Sequence, residues 1–316
     1  MKKHLFILAL LLAILASYWV PQLSEILPLS IINDVGIAFI FFFYGLKLSP
    51  AELKLGMRNY KLHFLIQTAT FIIFPVLVLL FYPLFSSGES YIYWLAFLFL
   101  AALPSTVSSS VVMVSLAKGN IPAAIFNASL SGIIGVVITP LWISLFLDTT
   151  ENDISFLDVF IKLGIQILIP LGIGLLLHKY FKKIVAKHKA KLTVFDKSVI
   201  VLIVYNSFSH SFKANIFSEL SILDLFAILG GVAGLFFTVY ALMRFLSRKL
   251  HFSKEDEITA KFCGSKKSLV HGSVMLKVLF GSAPSTGIFL IPIMLYHIFQ
   301  LIVIAIFANR FQQRNR

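Results

Sequence analysis

Long apolar segments recur from one end of this chain to the other, and they constrain its fold more than any other feature. Each is close to the length of about 20 residues that a helix needs to cross a bilayer. Charged residues make up only 13% of the sequence, against about 25% in a soluble domain. The pattern predicts an all-α membrane protein with helices at about 5–20, 31–48, 62–85, 91–116, 121–147, 157–178, 198–212, 222–246 and 287–309, and an ambiguous segment at 258–280.

The first residues, MKKHLFILALLLAILASYWVP, fit two interpretations. A basic start followed by an apolar stretch is typical of a secretory signal peptide. However, no clear cleavage site with small residues follows the apolar stretch, which continues into LASYWV. We therefore favour a first helix that is retained in the mature protein and keep the signal peptide as the alternative.

The charged residues predict on which side of the membrane each loop lies. The net charge is +13. With the amino terminus in the cytoplasm, the inner loops hold nearly all the Lys and Arg, including the basic run 179–197, while the outer loops hold most of the Asp and Glu. This distribution follows the positive-inside rule, so it indicates topology and no nucleic-acid partner. Both termini are predicted to be cytoplasmic, and the membrane is predicted to be the plasma (cell inner) membrane.

The ambiguous segment contains KFCGSKKSLVHGSVML, residues 261–276. If 258–280 did not cross, the arginines at the carboxyl terminus would lie outside, against the positive-inside rule. Residues 268–279 alone would make a helix of about 18 Å, shorter than the bilayer core of about 30 Å. The crossing is therefore predicted to include Lys266 and Lys267 at membrane depth. The alternative is that both lysines lie in a loop or extend to the interface.

Ten spans divide into two halves of five, 1–148 and 149–316. An odd number of helices in each half gives the halves opposite orientations, as in inverted-repeat transporters. The fourth span, 91–116, then corresponds to the ninth, and it contains LPSTVSSSVV. Pro104 and the serines that follow it interrupt helical hydrogen bonding. Two interrupted spans in corresponding positions predict the binding site of a transporter.

Four motifs carry a family resemblance: FFFYGLKLSPAEL, KLHFLIQ, SLAKGNIPAAIFNASLSGIIGVVITP and FCGSKKSLVHGSVMLKVLF. Together they resemble the bile acid:sodium symporter superfamily, in particular its divergent branch of orphan members, over nearly the whole chain. The resemblance implies ten transmembrane helices in two inverted five-helix repeats. It implies that helices four and nine are broken and cross, in a core domain beside a panel domain. It also implies sodium-driven uptake of an organic anion, with no cofactor other than the coupling ion Na+.

The resemblance also implies which residues bind sodium. The expected ligands carry hydroxyl or amide oxygens and are Ser108, Ser109, Ser110, Asn127, Ser129, Ser131 and Ser265. Two positions depart from the family pattern. Val111 stands where the family has Asn, and the helix-nine motif Glu-x-Gly-x-Gln-Asn has Phe262 in place of its glutamate and lysines in place of its Gln–Asn pair. At least one of the two sodium sites therefore differs from that of the family.

Polar residues beside the two interruptions and in the seventh span are the candidate substrate-binding groups. They are Thr106, Asn206, His210, Cys263, Lys266, Lys267 and Ser268. Asn206 and His210 share a helix face, although hydrogen bonding between helices would explain them equally. No Asp or Glu falls near the middle of a predicted span, so an intramembrane lysine would need backbone carbonyls or an anionic substrate as its partner. A lysine that occupies a sodium site as a tethered cation is the alternative.

These features predict a secondary active transporter, a sodium-coupled symporter of an organic anion that works by alternating access. The alternative is an uncoupled or regulatory membrane protein that retains the transporter fold. An enzyme is not predicted, because the sequence has no Walker A loop, no HExxH and no CxxC pair. The expected partners are membrane lipid and a small organic anion. The sequence predicts neither the identity of the substrate nor an oligomeric state.

Overall fold

The protein is built from α-helices. The computed structural model describes residues 3–48, 59–85, 90–106, 108–146, 161, 164–215, 217–218, 221–281 and 283–313, and these form helices and turns without any strand. The helices that matter below are α1 (Lys3–Trp19), α2 (Leu29–Lys47), α3 (Tyr60–Leu79), α4 (Ser90–Ala102), α5 (Ser108–Leu116), α6 (Ile121–Ser144), α7 (Gly164–His188), α8 (Ala190–Lys213), α9 (Ile222–Lys249), α10 (Lys254–Gly264), α11 (Leu269–Phe280) and α12 (Thr286–Gln313).

Seven of these helices are long and apolar enough to cross a membrane: α2, α3, α6, α7, α8, α9 and α12. Two further apolar stretches are shorter, Leu8–Trp19 within α1 and Ser90–Ala102, which is α4. The prediction of an all-helical protein with several membrane spans is thus confirmed. The predicted boundary between the two sequence halves, at 148/149, lies outside the described residues.

The basic run 179–197 differs from the prediction of a loop. Helical structure continues through it, with a single kink at His188, where φ is −105° and ψ is 15°. Lys, which makes up seven of the 19 residues of this run, favours helices. The helix therefore extends beyond the apolar segment that the sequence delimits, and α8 begins earlier than the predicted span 198–212.

The chain folds into two compact units, each assembled from separate stretches of sequence. The first unit contains Met1–Ser49, Leu147–Leu220 and Gly272–Leu290. The second unit contains Pro50–Phe146, Ser221–His271 and Ile291–Arg316. Each unit thus combines parts of both sequence halves.

In the first unit, α2 packs closely against α7 and α8. Gly36 of α2 lies against Val199 of α8, so that an added Cβ would come within 2.8 Å of the valine side chain. The end of α2 is joined to α8 by an ion pair between Lys47 and Asp196, with 2.8 Å between Nζ and Oδ2. Asp196 is therefore a paired acidic residue within this unit.

In the second unit, the carboxylate of Asp256 connects the starts of three helices. Asn59 and Asn120 accept hydrogen bonds at the beginnings of α3 and α6, from Leu62 N and Ala123 N. Each asparagine also donates from its amide to Asp256, at 2.6 Å and 2.8 Å respectively. Asp256 itself lies in the first turn of α10. A negative charge at three helix amino termini is favourable, because these ends carry partial positive charge.

Replacing Asp256 with Ala is therefore expected to lower the free energy of unfolding by about 2 kcal/mol, which is what a hydrogen bond to a charged group typically contributes to stability. Thermal or denaturant unfolding of the purified protein in detergent measures this change. The matched control is Glu255→Ala, because the neighbouring Glu255 side chain is exposed. Equal destabilisation by the two substitutions would show that the shared carboxylate does not stabilise the helix ends.

Candidate functional site

Two helix interruptions meet in the second unit. One separates α4, which ends at Ala102, from α5; the other separates α10 from α11. The N–H of Ser268 donates to the carbonyl of Pro104 at 2.9 Å, and the hydroxyl of Ser105 donates to the carbonyl of Cys263 at 2.8 Å. Helix ends leave backbone groups without intrahelical partners. Here each interruption provides partners for the other.

Helix α6 supports this junction from the side. The hydroxyl of Ser131 accepts a hydrogen bond from the N–H of Ser105 at 2.9 Å. One turn further along α6, Gly135 faces Pro104, and a Cβ at the glycine would come within 2.8 Å of the proline ring. Ser131, predicted as an ion ligand, is thus placed at the interruption and holds its backbone.

Three hydroxyl groups cluster where α5 begins. Thr106 Oγ1 lies 2.8 Å from Ser109 Oγ and 2.9 Å from Ser110 Oγ. The Nζ of Lys266 donates to the carbonyl of Ser109 at 2.9 Å. The predicted residues Thr106, Ser109, Ser110 and Lys266 therefore come together at one helix amino terminus, while the Ser108 side chain lies outside the described residues.

Lys267 has a different environment from its neighbour. Its Nζ donates to three backbone carbonyls, those of Thr70 at 2.7 Å, Leu103 at 2.8 Å and Ala101. The same nitrogen lies 4.1 Å from the centre of the Phe74 ring, a cation–π distance. The residue is 1% exposed. Three carbonyls and one ring face surround the ammonium group, and we call this set the carbonyl cage.

The backbone at the second interruption is fixed by α12. Gln300 accepts the N–H of Lys267 at 2.9 Å and donates to the carbonyl of the same residue at 2.7 Å. One turn earlier, the Tyr296 hydroxyl donates to the carbonyl of Ser265 at 2.8 Å. All four residues are buried. Two side chains of α12 thus take the hydrogen bonds that a continuous helix would have supplied to residues 265–267.

The remaining predicted ion ligands of α6 are buried in a polar network. Asn127 donates to His63 Nδ1 at 2.7 Å and to the carbonyl of Ala123 at 3.0 Å. It accepts from Gln67 at 3.2 Å. Ser129 is also buried. The network joins α3 to α6, whereas in the sequence these polar residues are isolated from one another.

Five other candidates occupy separate places. The Ser265 hydroxyl donates to the carbonyl of Lys261 at 2.6 Å, and Cys263 is a buried free thiol. Ser268 directly precedes α11, and its hydroxyl lies 2.9 Å from His271 Nδ1. Asn206 and His210 belong to α8 in the first unit, so their role in substrate binding stays a prediction.

Oxygen atoms are the available ligands for a metal ion at this site. Within the described part of the chain, no group of three or more His, Cys, Asp or Glu could hold a metal. The hydroxyl groups of Ser109, Ser110, Ser129 and Ser131 and the amide of Asn127 offer hard oxygen atoms, the ligand type that sodium accepts. Each of these groups has the oxygen chemistry of an alkali-cation ligand, and none of them is a carboxylate.

The most informative residues of the junction were not predicted from the sequence. Gln300 and Tyr296 are polar groups in a predicted lipid-spanning segment, where such groups need partners, and this signal could have identified them. Pro75 in α3 could have indicated a free carbonyl about one turn earlier. That the free carbonyl is the one of Thr70 depends on the π-helical segment Ala69–Ile73. No sequence pattern predicts this segment.

Known proteins match this chain over nearly its whole length, including both interruptions. The sequence pattern of the SBF-like CPA transporter family matches residues 4–313. A protein of Pseudomonas aeruginosa is 37% identical over 310 residues, 98% of this chain and 93% of that protein. YfeH of Escherichia coli K12, provisionally named a symporter, is 32% identical over 310 residues, with the same two coverages of 98% and 93%. Sodium/bile acid cotransporter 7-B of Xenopus laevis is 29% identical over 313 residues, 96% of this chain and 90% of the cotransporter.

Proposed function

The chain belongs to the SBF-like CPA transporter family, and on this basis we propose that it is a sodium-coupled symporter of an organic anion that works by alternating access. Transport, rather than catalysis, is the activity of the family, and a related protein carries the name of a symporter. Sodium and bile acid, which is an organic anion, are named for other relatives, the sodium/bile acid cotransporters. Both come to this chain as part of the proposal.

The composition of the two units supports an inverted repeat of five spans. The first unit combines α1 and α2 with α7 and α8, which are spans one, two, six and seven, and it also contains most of α11. The second unit takes α3 to α6 and α9, α10 and most of α12. If α4 with α5 is the fourth span and α10 with α11 the ninth, corresponding spans of the two halves fall largely in the same unit. This is the expected result for ten spans with internal symmetry.

The observation that carries the proposal is the junction of the two interruptions. Ser105 donates to the carbonyl of Cys263 and Ser268 donates to the carbonyl of Pro104, so each interruption supplies hydrogen-bond partners to the other. Non-helical backbone at membrane depth is tolerated only where protein buries it or a cavity borders it. Two such segments from corresponding positions are typical of the substrate and ion sites of secondary transporters.

The chemistry at the start of α5 favours an anionic substrate. Lys266 brings a positive charge to a helix amino terminus that has its own partial positive charge. The hydroxyls of Thr106, Ser109 and Ser110 add donors at the same place. A carboxylate or sulfonate would receive charge-assisted hydrogen bonds there. We assign this cluster to the substrate, including Ser109 and Ser110, which the sequence analysis assigned to sodium. The oxygens of Asn127, Ser129 and Ser131 are assigned to sodium.

Uptake into proteoliposomes tests the proposal. Labelled taurocholate, a steroid sulfate and a short dicarboxylate are supplied with an inward gradient of sodium or of choline. We expect at least one anion to accumulate with sodium and not with choline. Replacing Lys266 with Met should reduce that uptake about tenfold or more, because a charge-assisted hydrogen bond is lost.

Lys249→Met is the matched control, because Lys249 is an exposed lysine at the end of α9. It should leave uptake unchanged. Uptake that is equal in sodium and choline would overturn the sodium coupling. No uptake of any of the three anions, together with no change in melting temperature on adding them, would favour the regulatory alternative over transport.

A further inference from the structure

The carbonyl cage around Lys267 has the composition of a cation-binding site. We infer that Lys267 is a built-in cation, and that the cage would bind a free ammonium compound if the lysine side chain were removed. Carbonyl oxygens that surround an ion and replace its water shell are how proteins bind alkali cations at membrane depth. Here the ion is an ammonium group attached to the chain.

The first oxygen is available because α3 is irregular at this point. The regular helical donor to the Thr70 carbonyl would be Phe74 N–H, but this group donates to Ala69, five residues back. The next donor in that wider register would be residue 75, which is a proline and has no N–H. Thr70 is therefore left with a carbonyl that accepts from Lys267.

The other two oxygens come from the end of α4. The regular donor to the Ala101 carbonyl would be Ser105 N–H, which bonds to Ser131 instead. Leu103 follows the last residue of α4, directly before Pro104. A helix carboxyl terminus carries partial negative charge, so two of the three oxygens lie where a cation is favoured.

The cage completes the bonding capacity of the ammonium group. A lysine ammonium has three N–H donors, and three carbonyls accept them, with the Phe74 ring beside them. No ion pair among the described residues includes Lys267. Burial of a charge is costly unless polar groups compensate it, and here backbone dipoles provide that compensation without a carboxylate.

This arrangement separates the roles of the two adjacent lysines. Carbonyl oxygens surround the Lys267 ammonium group and would repel an anion. The substrate role therefore belongs to Lys266, whose Nζ reaches the start of α5. If the proposed function holds, one positive charge at the junction of the interruptions never leaves the protein. The number of cations transported with each anion would then be lower by one than in a transporter with a free ion in this cage.

The test removes the side chain and returns its missing part in solution. Lys267→Ala lacks three methylenes and the ammonium group, which together correspond to n-propylammonium. We expect the variant to melt at least about 5 °C below the parent in detergent. Titration with n-propylammonium chloride should then raise its melting temperature in a saturable manner, as expected for a ligand of the folded state. n-Propanol, which has the same shape without the charge, should have no such effect.

Two control variants make the result specific. Lys266→Ala should gain nothing from n-propylammonium beyond the effect on the parent, and Lys267→Met should not respond because its side chain fills the same space. Equal stabilisation by n-propanol, or equal rescue of Lys266→Ala, would overturn the inference. If Lys267→Ala does not fold alone, we expect solubilisation in the presence of n-propylammonium to restore the yield of monodisperse protein, and n-propanol not to restore it. An equal yield with the two compounds would contradict the inference. None of these measurements depends on transport, so they are independent of the proposed function.

Discussion

Replacing Gln300 with Met is expected to lower the free energy of unfolding by about 3 to 4 kcal/mol. Gln300 is fully buried and bonds to both the N–H and the carbonyl of Lys267. Methionine has nearly the same volume, so packing is preserved while both hydrogen bonds are lost. Leaving one buried backbone group without a partner costs about 1 to 3 kcal/mol, and this substitution affects two groups in a residue that is itself 1% exposed.

Unfolding in detergent by heat and by denaturant measures this loss. Ile302→Met is the control, since Ile302 lies on the exposed side of the same helix, and we expect a change below about 0.5 kcal/mol there. A stable Gln300→Met protein would show that the second interruption does not depend on α12.

The sequence predicted the interruptions better than it predicted what holds them together. Pro104, the serines after it and the two lysines predicted to lie at membrane depth locate both breaks, because each is unfavourable in a membrane helix. The hydrogen-bond partners of the interruptions were not predicted. Gln300 follows Lys267 by 33 positions and Thr70 precedes it by 197, and such pairings depend on tertiary structure that a single sequence does not encode in any local pattern.

The two lysines illustrate the limit most clearly. The sequence presents Lys266 and Lys267 as equivalent, and both were predicted to contact the substrate. In the structure they point to different oxygens, one at the start of α5 and the other in the carbonyl cage. The family resemblance is confirmed by the match over residues 4–313. It could not distinguish the lysines, because both stand at positions where the family pattern has neutral residues.

Helix packing in the first unit gives the second large effect. Gly45 of α2 and Gly174 of α7 face each other with their backbones in contact. A Cβ on Gly174 would overlap the carbonyl oxygen of Phe42 and would lie 3.1 Å from the Cα of Gly45. Backbone atoms cannot move aside as a flexible side chain can. Gly174→Ala must therefore separate the two helices, and we expect it to lower the free energy of unfolding by about 3 kcal/mol, at the upper end for overpacking.

Gly172→Ala provides a control of opposite sign. Gly172 lies on the same helix two residues earlier, and nothing comes within 4 Å of a Cβ placed there. Alanine favours the helix over glycine by up to about 1 kcal/mol, so this variant should be as stable as the parent or more stable. Melting temperatures of the two variants in the same detergent decide the matter. If Gly174→Ala is as stable as Gly172→Ala, then α2 and α7 are not in backbone contact at Gly45 and Gly174.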